Sequence, residues 1–128
     1  MNAEELDEIM DRHLLWINET EGGVRADFRG VDLRQIDLNG ENLSWADLSG
    51  ADLSEVEFSG VNFSEANLSK VNLGDANLSG VNFRRANLSE ANLSGVNFSD
   101  ANLSDANLSG SNLSGADFRR ANLRLGGS

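Results

Sequence analysis

From residue 26 onward the chain repeats every five residues without interruption, and so short a period constrains the fold before any local propensity does. The unit centres start at Phe28, Leu33 and Leu38 and continue at every fifth position to Leu123; all twenty are Leu or Phe. Two residues before each centre stands Ala in eleven units and Val in six, with Ile36, Glu41 and Ser111 as the departures. Asp or Asn separates the two everywhere except at Glu57. Ser usually follows the centre, and Gly or a charged residue closes most units.

On an extended segment, residues two apart share a face and the residue between them points the other way. The small residue and the centre therefore go inward together, Asp or Asn faces water, and the last two residues turn a corner. An α-helix cannot use this pattern, because five residues advance it by roughly 500° and the apolar positions would precess around the cylinder. A flat hairpin sheet needs longer strands between its turns. The solution left is a coil that turns a corner at every unit and stacks on itself.

A period of 20 aligns like residues and so sets the number of sides. One small-residue column then reads Ala26, Ala46, Ala66, Ala86 and Ala106; one centre column reads Leu33, Leu53, Leu73, Leu93 and Leu113. An outward column reads Asn42, Asn62, Asn82, Asn102 and Asn122. Twenty units make five four-sided coils. At the ~4.8 Å spacing of neighbouring strands the stack is about 24 Å tall.

Units such as Ala66-Asn67-Leu68-Ser69-Lys70 and Ala101-Asn102-Leu103-Ser104-Asp105 resemble those of the pentapeptide-repeat family, and the resemblance covers residues 26–125. It implies an all-β solenoid, a right-handed quadrilateral β-helix whose interior is filled by the centre and the small residue. The handedness comes from the resemblance alone. The expected organisation is a capping helix and linker over residues 1–25, the β-helix over 26–125 and a Gly-Gly-Ser tail over 126–128.

A solenoid exposes apolar side chains and an unpaired edge at each end, so it needs caps. Over residues 3–19, Leu6, Ile9, Met10, His13, Leu14, Trp16 and Ile17 fall at helical spacing on one broad apolar stripe. Asn2 with Glu5 matches a capping box, and Gly22 and Gly23 supply a stop. This helix is expected to lie across the first coil as a lid. No such element follows the last coil, whose Leu108, Leu113, Phe118 and Leu123, with Leu125, form the candidate self-association edge. A homodimer joined through these C-terminal coils is the expected partner arrangement.

The chain offers little chemistry. It has no Cys, which excludes disulfides, thiolate metal sites and a thiol nucleophile. His13, the single imidazole, sits on the lid's apolar stripe and reads as a structural residue. The repeated Ser residues fit turn chemistry better than nucleophilic catalysis, which needs a positioned base and an oxyanion hole. Carboxylate pairs such as Asp47 with Asp52 or Glu55 with Glu57 would need a cleft to drive their pKa values apart, and a filled prism has convex walls. There is no calcium-loop spacing and no His cluster, so no metal or other cofactor is expected and no enzyme activity. The outward Asn residues read as a ladder of amides bonding along the stack. Arg84 with Arg85 and Arg119 with Arg120 read as solvated corners, and Trp45 at a corner is a candidate surface contact, weighed against packing under the lid.

The formal charge is -11, which opposes direct nucleic-acid binding and attraction to an anionic membrane surface. No apolar run is long enough to span a bilayer. The acidic start (Glu4, Glu5) is unlike a secretory or mitochondrial leader, which points to the cytoplasm. Two functions compete. One is a non-catalytic structural or protein-interaction scaffold; the near-uniform units and the Gly-Gly-Ser tail would also suit a consensus or designed repeat with no native function. The alternative, implied by the resemblance, is a DNA mimic that binds DNA gyrase or topoisomerase and protects it from quinolones. Charge distribution separates them: residues 1–57 hold 15 acidic and 4 basic side chains, net -11, whereas residues 58–128 hold 6 of each, net zero. A mimic needs negative charge along its length, and the resemblance implies that gyrase-protecting members use loop insertions between units to engage the enzyme, which this chain lacks, so the scaffold reading is preferred. If the centres point inward, Leu73→Asp buries a carboxylate in the stack and abolishes cooperative thermal unfolding near the wild-type midpoint. An unchanged melting temperature would overturn the inward assignment.

Overall fold

The computed structural model describes residues 1–125. One α-helix, α1 (Ala3–Ile17), precedes the repeats. The repeats form a four-sided β-helix in which each Asx residue makes a parallel bridge to the residue 20 positions on, as in Asn62 with Asn82 and Asn82 with Asn102. Each side is too short to form more than an isolated bridge. Three backbone bonds from each regular unit tie the coils together: the Asn72 N–H donates down to the Ala51 carbonyl (3.0 Å), and the Leu73 and Asp75 N–H groups donate up to the Asn92 (2.9 Å) and Ser94 (2.8 Å) carbonyls.

The corners rest on two local devices. The centre's carbonyl accepts the N–H of the residue three positions on, as Ala76 donates to Leu73 at 2.9 Å, which closes a tight turn. The closing residue of every unit except those ending in Gln35 and Leu125 has positive φ, from 56° at Glu90 to 74° at Gly40. A turn with φ > 0 at its third position is of the type that favours Gly, and this explains why Gly recurs there. The second device is the outward Asn or Asp. Its Oδ1 accepts the backbone N–H two residues on, as Asn67 does from Ser69 (3.1 Å) and Asn87 from Ser89 (3.0 Å). These Asx turns explain why Asn and Asp are interchangeable: both supply the same oxygen at the same reach.

The interior is packed as expected. Leu33, Leu53, Leu73 and Leu93 have no solvent exposure, and the small residues Ala46, Ala51, Val71 and Val81 are equally buried. Phenylalanines in contact run through the core, with Phe63 stacked on Phe83 (5.4 Å, 8°), Phe83 edge-on to Phe98 (5.7 Å, 77°) and Phe98 stacked on Phe118 (5.2 Å, 13°). Among the described residues no buried side-chain polar atom lacks a hydrogen-bond partner.

The helix caps the first coil over a narrower face than the apolar stripe predicts. Leu6, Met10 and His13 are buried, whereas Leu14 (39% exposed) and Trp16 (36%) lie at the surface. A straight helix on a flat end buries fully only its i, i+4, i+7 row, so Leu14 and Trp16 stay outside while Ile9 is only partly buried against the core. Asn2 caps the helix by accepting the Glu5 N–H at 2.9 Å. The helix stops at Asn18, ahead of the two glycines; Gly23 is needed because its Cα lies against the Trp16 backbone, where a Cβ has no room.

Among the described residues the ladder fails at one place: Asp37 does not bridge Glu57. Glu57 is the one outward residue that is neither Asp nor Asn, and its longer side chain makes no Asx turn. The Ser59 N–H turns instead to the Asn39 Oδ1 of the coil below (3.0 Å). Gln35, the closing residue without positive φ, lies just before the same side. A gap of about 190 Å³ opens there, and Phe58 beside it is more exposed, at 7%, than the fully buried centres above. Glu57→Asn restores the Asx acceptor and removes a like charge facing Asp37; it should stabilise the fold by about 1 kcal/mol in urea unfolding. Equal or lower stability would show that the gap has another cause.

Candidate interaction surfaces

His13 is fully buried at the joint between helix and first coil. Its Nδ1 accepts the Ala26 N–H at 2.9 Å, which fixes the proton on Nε2, and that N–H donates to the Ser44 carbonyl at 2.9 Å. A neutral ring with both nitrogens engaged latches the lid to the stack at two points. Burial pushes its pKa below the ordinary imidazole value; the Ser44 carbonyl opposes that, and the Arg25 charge adds to it. Trp16 stacks on the ring at 5.9 Å. All of its bonds are to backbone groups, which makes it a fastener.

Of the carboxylate pairs, Asp47 and Asp52 face arginines across the coils, whereas Glu55 and Glu57 make no ion pair among the described residues. Arg34 clasps Asp32 (2.8 Å) and reaches Asp52 in the next coil (3.4 Å); Arg29 clasps Asp27 (2.8 Å) and lies 4.0 Å from Asp47. The Arg34 hydrogen bond is the main reason Asp32 titrates near pH 2, with a pKa of about 2. A general acid needs its pKa raised, the reverse of this arrangement. Three of the four basic corner residues are also paired: Arg85 with Glu65 (3.4 Å), Arg119 with Asp117 (2.7 Å) and Arg120 with Asp100 (2.8 Å). Serine hydroxyls such as Ser54 and Ser104 donate to the Asx oxygen of their own unit (2.8 and 2.7 Å).

The Asn ladder differs from its expected form. Bonds between amides of adjacent coils occur at Asn92 to Asn72 (3.0 Å) and Asn97 to Asn77 (3.3 Å), but the Oδ1 atoms chiefly hold their own corners. The backbone N–H two residues away is always within reach, whereas the next coil's amide must rotate to meet it. Among the described residues no group of three or more potential metal ligands occurs, and no helix is long and apolar enough to cross a membrane.

Exposed apolar groups gather at both ends of the stack. At the end of the fifth coil, Leu113, Leu123 and Leu125 are 37%, 50% and 64% exposed, and Leu108 and Phe118 are half-buried. One coil below, Leu88, Leu93, Phe98 and Leu103 each donate an N–H upward; among the described residues the equivalent N–H groups of Leu108, Leu113, Phe118 and Leu123 have no acceptor. The tail over residues 126–128 lies outside the described residues. At the other end Trp45 is half-exposed instead of lying under the lid, and it shares an open hollow with Trp16, Ile17 and Glu19. Sequence reading missed this grouping because it placed Trp16 in the buried stripe.

The profile of the pentapeptide repeat region matches residues 51–125, and that of eight-copy pentapeptide repeats matches residues 26–65. The chain belongs to the pentapeptide-repeat family. Solved members of the family form right-handed quadrilateral β-helices, and this four-sided coil is one of them. A pentapeptide repeat protein, Rfr23, from the cyanobacterium Cyanothece 51142 is 40% identical, with a TM-score of 0.66 over 68% of this chain and 59% of that one. HetL from Nostoc sp. strain PCC 7120, a pentapeptide repeat protein involved in heterocyst differentiation regulation, is 34% identical, with a TM-score of 0.72 over 76% of this chain and 46% of its own. A pentapeptide repeat protein of the Arabidopsis thaliana thylakoid lumen is 35% identical, with a TM-score of 0.59 over 76% of this chain and 71% of its own. The chain thus spans less than two thirds of the length of either cyanobacterial protein. No curated protein matches it significantly.

The His13 latch makes this pentapeptide-repeat protein sensitive to pH. With the folded pKa below 6.5, the unfolded chain takes up the proton first, so the stabilisation is complete above pH 6.5 and declines as pH falls from there toward the folded value. Glu41, whose pKa is raised by burial and by the nearby Asp7, Asp37 and Asp11, acts with the opposite sign at lower pH. Melting temperature should therefore fall between pH 7.5 and 5.5 in the wild type. His13→Gln, which keeps a donor and an acceptor without a titratable nitrogen, should be flat over that range. A parallel fall in both would exclude the latch as its source.

Proposed function

We propose that this pentapeptide-repeat protein is a non-catalytic interaction scaffold that assembles as a homodimer through its C-terminal coils. The observation that carries the reading is the fifth coil, where, among the described residues, apolar centres are exposed beside centre N–H groups without an acceptor, against a first coil closed by the helix. A second copy supplies both missing partners at once, burying the leucines and offering carbonyls to the open edge. The near-neutral charge of residues 58–128 favours this contact, since two such ends meet without mutual repulsion. Ion pairs and Asx turns occupy the side chains along the walls, which supports binding over catalysis. The regulatory involvement of HetL is consistent with a scaffold that works by contact. A cytoplasmic location belongs to the same proposal.

The gyrase-mimic reading has less support, because the acidic surface ends after the second coil. Light scattering at high micromolar concentration should give the mass of two chains for the wild type and of one chain for Leu113→Lys/Leu123→Lys. A monomeric wild type would refute the dimer. Inhibition of gyrase supercoiling, or quinolone protection, at low micromolar protein would replace the scaffold with the mimic.

A further inference from the structure

The hollow at the opposite end of the molecule combines features that the scaffold reading does not use. It has a volume of about 420 Å³ and is lined by Trp16, Ile17, Glu19 and Trp45. Two of these four depart from what their backbone favours. Trp45 holds a corner at φ 68° where Gly is the easy residue, and Glu19 follows the helix cap at φ 55°, again a position suited to Gly or Asn. Nine other corners hold a charged residue at a similar φ, so the left-handed backbone belongs to the fold; what sets Trp45 apart is a large aromatic side chain at such a corner, half-exposed beside the hollow.

The chemistry of the lining selects the ligand. Trp16 stacks on the buried His13, and its indole and that of Trp45 both line the hollow. Indole faces attract cations through their quadrupole. Glu19 adds a negative charge at the rim, and the surrounding residues 1–57 carry a net charge of -11. A primary ammonium or a guanidinium would bring three or five N–H donors to a wall with a single carboxylate, leaving most of them unmet. A methylated ammonium has none to satisfy and spreads its charge over methyl groups that pack on the rings.

We propose that Trp16, Trp45 and Glu19 form a binding site for a quaternary ammonium group, borne either by a small molecule or by a trimethylated lysine. The site is independent of the dimer edge at the other end.

Trp16 and Trp45 are the chain's two tryptophans and there is no tyrosine, so indole fluorescence reports this site alone. The full chain is titrated with tetramethylammonium chloride and choline chloride against sodium chloride at equal ionic strength. The expected result is a saturable fluorescence change, with the neutral isostere 3,3-dimethylbutan-1-ol binding about tenfold more weakly. Trp45→Gly, read by calorimetry, loses about tenfold in affinity while its melting temperature rises, because Gly suits that φ; Glu19→Gln loses several-fold. Peptides carrying trimethyllysine or unmodified lysine identify the source: either the methylated peptide or free choline binds more tightly, and both results support the site. Unchanged affinity in Trp45→Gly, equal binding of the neutral alcohol, or no saturable response to any cation overturns it.

Discussion

The structure depends on a single short hydrogen bond made again in each regular unit, from the backbone N–H after the centre to the Oδ1 of the outward Asx residue, as at Ser89 and Asn87. A chain that turns every five residues has no room for strands, so sheet pairing alone cannot hold its sides: each contributes only an isolated bridge. The Asx turn fixes the direction in which the chain leaves the side, and the left-handed closing residue completes the corner. With both in place the centre returns to the interior in register with the centre 20 residues away. Burial of Leu and Phe supplies the driving force, but this bond determines where the burial can happen.

One consequence is an exterior with few side chains left over for chemistry. The Asx oxygens are held by the backbone, many Ser hydroxyls by those oxygens, and several arginines by carboxylates one coil away, as Arg120 is by Asp100. Replacing Asp by Asn leaves the turn intact because only Oδ1 is used. Net charge can therefore vary between the two halves of the stack without any change of fold. An acidic N-terminal half and a neutral C-terminal half are equally good β-helix, so the charge is free to serve what each end contacts.

The period, the sidedness and the inward residues were legible because they depend on sequence spacing alone; Leu73 and Ala46 are buried as their positions require. The role of the outward Asn was half legible. Its polarity placed it outside, but a ladder along the stack and a turn within the unit both call for Asn, and only the coordinates show that the nearer acceptor wins. The helix was legible as an element but not in its contact width: an amphipathic stripe records which residues could be buried, whereas the flat end of the first coil determines how many are. Trp16 and Trp45, 29 positions apart, meet at the joint between two kinds of structure, and neither period links them.

The departures from the unit show where tolerance ends. At Glu57 the Asx oxygen is missing, and the stack responds by opening: the bridge to Asp37 is lost and Ser59 borrows an acceptor from the coil below. At Trp45 the response is the opposite. The corner keeps its geometry, with the Trp45 N–H still donating to the Ser64 carbonyl at 3.0 Å and Ala46 closing the turn onto Leu43 at 3.1 Å. An L-residue held there carries a cost of about 1–2 kcal/mol that Gly would avoid. A lost hydrogen bond is relieved by local rearrangement, but a corner of the first coil that is bonded to the second coil and closed onto its own turn has nowhere to move. The neighbouring coils, with the helix latched to them through His13, hold the indole outward against the cost of its own backbone.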